Sequence, residues 1–283
     1  VSQAFVDGHP LRTYRHAPNT GSRKSWAAGD ATARGVRLAL MSLNGEMGYP
    51  SALSAPTWGF CDALFRGEPL RVPRAYGTYV IENILFKVSF PAEFHAQTAV
   101  EGAIRLHPEV AGRLDSIERI LIRTQEPALR IIDKRGVLHN PADRDHCLQY
   151  VVAVALIKGS LAAADYEDGT AADPRIDRLR EKMAGREDPR YTRDYLDPAK
   201  RSIANALQVR FAGGTTTPEI EIEFPLGHPR RRAEALPALI EKFERNLARR
   251  LAPERRLAIL DLSIDPVRLD ATPVNGYIDL YRP

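Results

Sequence analysis

Residues 147–157, CLQYVVAVALI, are apolar apart from Gln149 and the hydroxyl of Tyr150. A helix that is apolar all round belongs in a core, so other layers of the fold have to cover it. Just upstream, Asn140, Pro141 and Asp143 suit the N-cap, first and third positions of a helix start. The spacing predicts a core helix with a charged mouth, with Asp143, His146 and Tyr150 on one face by their i, i+3 and i+4 offsets. The plainer reading is that the aspartates satisfy the helix dipole and His146 is a buried, hydrogen-bonded histidine.

A second stretch, residues 83–108, places Lys87, a sharp Phe-Pro turn and His95 within nine residues. Residues 84–90 read as a short strand. Pro91 suits the first turn of a helix, and Ser89 lies close enough to help cap it. Ala96, Val100, Ala103 and Ile104 then share one helical side. A helix N-terminus carries unpaired N–H groups and partial positive charge, so Lys87 and His95 beside it form a candidate site for an anionic substrate. Otherwise they are a surface lysine and a capping or core histidine.

Elsewhere, residues 1–26 read as irregular, although 21–26 bring Arg23 and Lys24 beside Trp26. A helix is expected over 27–43 with Val36, Ala39, Leu40 and Leu43 on its apolar side, and another over 55–65 with Trp58, Cys61 and Leu64 inward. Residues 66–82 look like a linker, 116–124 a strand, 126–139 a connection, 159–174 a loop and 176–183 a short helix; 191–195 gives no clear signal. Residues 206–211 and 219–224 alternate as a hairpin around Gly213 and Gly214, whose loop has neither the lysine nor the helix of a phosphate-binding loop. An amphipathic helix over 232–251 and two helical pieces over 254–280 follow. This order predicts an α+β protein: part of an all-helical domain (1–82 and 228–283) with an inserted α+β lid domain (83–227).

Composition narrows the function. The 40 basic and 36 acidic residues leave a net +4, and the arginine clusters lack interleaved aromatics, so no nucleic-acid partner is expected. The two cysteines, Cys61 and Cys147, read as buried free thiols in a reducing, cytoplasmic setting, and are too few for an aconitase-type iron–sulfur cluster. The seven histidines form no H-x-x-x-H pair and none falls in a CxxC setting, so no metal is expected. No apolar run reaches membrane-spanning length and no signal-peptide pattern is seen, so no membrane association is expected.

Three strings carry a resemblance over essentially the whole chain: GEMGYPSALSAPTWGFCDALF, ENILFKVSFPAEFHAQTAVEGA and GVLHNPADRDHCLQYVVA. In these the sequence resembles the MmgE/PrpD family. The resemblance implies a helical domain with a smaller lid domain, a homodimer, and action on a small tricarboxylate without a cofactor. The branch it resembles dehydrates 2-methylcitrate to 2-methyl-aconitate in propionate catabolism by the methylcitrate cycle. A sibling activity, citrate dehydration or cis-aconitate decarboxylation, and a catalytically silent dimerising module are the alternatives. Family members carry a helical region before the point matching Val1, with an aspartate, a threonine and a histidine of the cleft, so half of the site is expected to be missing here. Residue by residue, the family's cleft lysines match Lys24 and Lys87, and the histidine after the Phe-Pro turn matches His95. Dehydration needs cations on the carboxylates, a base at the C–H and an acid at the leaving hydroxyl. The expected roles are Lys24 and Lys87 on carboxylates with Arg23 and Arg144 in support, His95 in proton transfer, and His139 or Tyr150 as the acid.

Overall fold

The computed structural model describes residues 20–72 and 83–282 together with Ala4, Tyr14, Ala75 and Gly77. Most of the irregular segment expected over 1–26, and most of the later part of the linker expected over 66–82, lie outside these residues. Helices α1 (Arg23–Leu43) and α2 (Phe60–Phe65) come first, followed by α3 (Gln97–Val110), β1 (Ile117–Thr124) and α4 (Glu126–Ile132). Next are α5 (Pro141–Asp145), α6 (Leu148–Lys158), α7 (Asp168–Ala171), α8 (Pro174–Glu181), β2 (Met183–Glu187) and α9 (Pro189–Leu196). The chain closes with β3 (Asn205–Phe211), β4 (Ile220–Ile222), α10 (Arg232–Leu247), α11 (Pro253–Ser263), α12 (Pro266–Ala271) and α13 (Val274–Asp279). Helices thus flank a small mixed sheet, an α+β arrangement. Among the described residues no helix is long and apolar enough to cross a membrane.

The sheet order is β2-β1-β3-β4, with β1 parallel to β2 and antiparallel to β3. Ile117, Ile120 and Ile122 of β1 are all buried, although 117 and 120 have opposite parity. A register irregularity between Ile117 and Arg119 absorbs the extra residue. The hairpin forms as expected: Leu207, Val209 and Phe211 face the core, and Leu207 pairs with Ile220 across it.

Helix α6 lies at the centre of the main core, buried from Leu148 through Leu156. Each fully buried valine or leucine there is worth roughly 1.5–3 kcal/mol against exposure. Helix α3 packs beside it, and His107 Nδ1 of α3 donates to the Leu156 carbonyl at 2.8 Å. Gly159 ends α6 with φ +67°, where a Cβ would fall 2.6 Å from the His107 ring. Both the left-handed backbone and the close approach require glycine there.

Several expectations are corrected. No strand forms over 84–90: this segment runs extended, held by Phe86 N–H donating to Gly227 O at 3.1 Å. Gly227 is at φ +104°, and a Cβ there would meet the Phe86 carbonyl. The helix after Pro91 starts later, at Gln97, because the Glu93 carboxylate accepts from His95 N–H and caps a preceding 3-10 turn, Phe94–Ala96. Asn140 does cap α5, accepting from Asp143 N–H, but the chain leaves helical geometry at Cys147 before α6 begins. Asp143, His146 and Tyr150 therefore do not share one continuous helical face.

Helix α1 begins at Arg23, four residues before its expected start, and none of its residues is buried. Helix α2 begins only at Phe60; Trp58 is 88% exposed and Leu64 is also outward, while Cys61 is half-buried. The expected connection over 126–139 contains α4, the loop over 159–174 contains α7, 191–195 belongs to α9, and the tail has three helices. Strand β2 carries no apolar alternation in MAGRE; its backbone pairing with β1 makes it a strand.

Candidate active site

Five short segments build the candidate site: the first turn of α1, the 84–93 segment held by Gly227, the 94–96 turn, the end of α5 and the last turn of α9. Lys24 Nζ lies 3.3 Å from Asp145 Oδ2, and Glu93 N–H donates to the Asp145 carbonyl at 3.4 Å. His146 Nδ1 is 3.1 Å from the same Oδ2. Asp145 Oδ1 is buried with no hydrogen-bond partner among the described residues. It is an acceptor left open within the cluster.

The electrostatics tie Lys87 to this group. Desolvation lowers the Lys87 pKa, Asp145 and Glu93 oppose that, and Lys24 adds to it. Lys87 itself is exposed, so this desolvation is partial. Burial would raise the Asp145 carboxyl, but the His146 ring, Lys24 and Lys87 together hold it below the usual range. Glu93 is likewise held low: burial opposes its charge, and hydrogen bonds and charge from His95 outweigh it.

His95 is gripped at both ring nitrogens. Its Nδ1 lies 2.9 Å from Glu93 Oε2 and 3.0 Å from Oε1, and its Nε2 lies 3.2 Å from the Tyr195 hydroxyl. An ionised carboxylate only accepts, so Nδ1 carries a proton, and when the imidazole is neutral Nε2 is the acceptor. Tyr195 of α9 donates to it, and burial raises the Tyr195 pKa, which keeps the phenol protonated. The backbone carbonyl of His95 accepts from Asn205 Nδ2 at 2.8 Å, which fixes the turn against β3. Together these residues offer two ammonium groups for carboxylates and an oriented imidazole for proton transfer.

The other expected site residues lie elsewhere. Arg23 pairs with Asp30 at 2.8 Å within α1 and stacks on Trp26. His139 is exposed, its backbone N–H donating to Asp143. The Tyr150 hydroxyl donates to the Asp165 carbonyl at 2.6 Å, and Arg144 Nη1 donates to the Tyr166 carbonyl at 2.6 Å. Arg144 and Tyr150 line a separate recess that Lys24, Lys87 and His95 do not reach. Among the described residues no group of three or more His, Cys, Asp and Glu side chains is placed to hold a metal ion.

The family model of the MmgE/PrpD C-terminal domain matches residues 90–266, more than half of the chain. This chain belongs to the MmgE/PrpD family. The model of the MmgE/PrpD N-terminal domain matches residues 1–73. The chain is 64% identical to a 2-methylcitrate dehydratase of Cupriavidus necator over 284 residues, covering 99% of this chain and 59% of that relative. Identity to the Salmonella typhimurium 2-methylcitrate dehydratase is 61% with the same coverage. To the mitochondrial 2-methylcitrate dehydratase of Yarrowia lipolytica it is 56%, over 99% of this chain and 54% of the relative. The chain thus spans somewhat more than half the length of these relatives.

Three members of this candidate site, Glu93, Asp145 and Tyr195, are not singled out by the sequence reasoning. Glu93 and Asp145 are acids two residues from His95 and beside His146, a signal that was present in the strings themselves. Tyr195 carried none: it reaches His95 only because α9 packs near α4 and the 94–96 turn.

Proposed function

We propose that this protein is a hydro-lyase that dehydrates 2-methylcitrate to 2-methyl-aconitate in propionate catabolism by the methylcitrate cycle. The observation that carries the reading is the approach of Lys24 to Asp145, with Lys87 and the Glu93–His95–Tyr195 chain beside it. It is supported by the high identity to enzymes named for that activity. In this reading Lys24 and Lys87 bind substrate carboxylates and neutralise the charge that builds up as the C–H proton leaves. His95, oriented by Glu93, takes that proton at Nε2 once the substrate displaces the Tyr195 hydroxyl. Tyr195, kept protonated, then donates to the departing hydroxyl, the role expected of His139 or Tyr150.

The proposal extends to a sheet-bearing lid inserted in a helical domain, a cytoplasmic setting and a homodimer. The exposed apolar side chains Val36, Leu40 and Leu43 of α1 support association through that helix. Light scattering after gel filtration tests the dimer, and a monomer would remove it.

The test of activity is to mix the protein with 2-methylcitrate and follow the ultraviolet absorbance of the conjugated product, beside Lys87→Ala. Turnover that falls by roughly a hundredfold or more in the variant is expected. Absence of turnover in the wild type, or full activity in the variant, overturns the reading.

A further inference from the structure

A recess of about 750 Å3 lies among the 134–138 loop, α6, α7 and α8, apart from the Lys24 cluster. Three arginines line it, Arg135, Arg144 and Arg180, and the guanidinium groups of the last two are nearly buried. Arg144 has a side chain only 8% exposed; its Nη1 donates to the Tyr166 carbonyl and its Nη2 to Asp168 Oδ1, both at 2.6 Å. Arg180 is 11% exposed; its Nη2 donates to the Gly136 carbonyl at 2.7 Å and its Nη1 to Asp177. Its Nε is buried with no hydrogen-bond partner among the described residues.

The two pairs share an asymmetry. Each arginine also donates to a backbone carbonyl, a buried one for Arg144 and that of the exposed Gly136 loop for Arg180, so neither is held by its carboxylate alone. Each carboxylate is at the surface: the Asp168 side chain is 91% exposed and that of Asp177 65%. An exposed carboxylate loses little by returning to water, whereas the buried guanidinium needs an anion. Between them the recess offers the Tyr150 ring, fixed by its bond to the Asp165 carbonyl, and the Leu138 side chain.

We propose that this recess is a binding site for a small dianion, a dicarboxylate or a phosphate group, that displaces the Asp168 and Asp177 carboxylates from Arg144 and Arg180. A dicarboxylate engages both guanidiniums across the Tyr150 ring, and a phosphate engages one. The site does not depend on the proposed dehydration, because none of the residues assigned to that chemistry lines it.

The test is calorimetric titration of the purified protein with succinate and, separately, inorganic phosphate, in wild type, Asp168→Asn and Arg180→Met. Removing the internal competitor in Asp168→Asn is expected to tighten binding by roughly tenfold, and Arg180→Met to weaken it by a similar factor. Tighter binding of succinate than of phosphate assigns the dicarboxylate; the reverse assigns the phosphate. Should Arg180→Met fail to fold, Asp168→Asn decides alone, since its side chain is at the surface. No saturable binding of either probe up to about 10 mM, or unchanged or weaker affinity in Asp168→Asn, overturns the proposal. Binding that follows Lys87→Ala and ignores Asp168→Asn places the anion at the other cluster and overturns it too.

Discussion

Lys24 Nζ lies 3.3 Å from Asp145 Oδ2, joining the first turn of α1 to the end of α5 across 121 residues of chain. Both side chains are partly buried, so the pair is worth at most about 1 kcal/mol to stability. Its weight falls on chemistry, because the ammonium is held beside the open Asp145 oxygen. Lys24→Met is expected to lower the dehydration rate by roughly a hundredfold while shifting the urea midpoint by less than about 1 kcal/mol of stability. Steady-state rates measured alongside denaturation curves check this. A rate lost only in proportion to folded protein would mean that Lys24 is structural.

Acid should loosen the same region. Glu93 and Asp145 are held below their ordinary pKa values by His95 and by the His146, Lys24 and Lys87 charges, against the opposing effect of burial. A carboxylate with a depressed folded pKa contributes its full stability above the unfolded value, near 4, and loses it as pH falls through the folded value. Stability is therefore expected to drop as the pH falls below about 4, and less steeply in Glu93→Gln. Urea titrations over that range read it out, and identical slopes in variant and wild type would count against the Glu93 pairing.

Tyr150 gives a third expectation. Burial pushes its phenol up to about 12, so it stays protonated and donates to the Asp165 carbonyl throughout the neutral range. Tyr150→Phe leaves that carbonyl unpaired and should cost about 1–2 kcal/mol. Equilibrium unfolding measures the loss, and a stability equal to wild type would mean that the bond contributes nothing.

Parts of this architecture were legible from residues alone. The apolar run over 147–157 required a buried helix, and α6 is one. Asn140 capped where its side chain predicted, and alternation over 206–211 placed β3 correctly. Each of these signals is local: periodicity records which face is buried, and a cap is made within three residues. Lys87 and His95 stood out by their place around the Phe-Pro turn, and the family strings added Lys24; periodicity pointed to none of them.

Where the cluster forms was not local. Strand β2 has no apolar alternation and exists because β1 offers it a parallel partner. Tyr195 reaches His95, and Asp145 reaches Lys24, only through the path of the folded backbone. Arg144 and Tyr150, expected to act beside the lysines in the dehydration, instead face a recess of their own. Sequence alone determined the buried helix over 147–157, the cap at Asn140 and the strand over 206–211, since a residue's own chemistry sets its local preference. Tertiary structure alone decided which charges meet, since a charged side chain has no preferred partner until the fold brings one within reach.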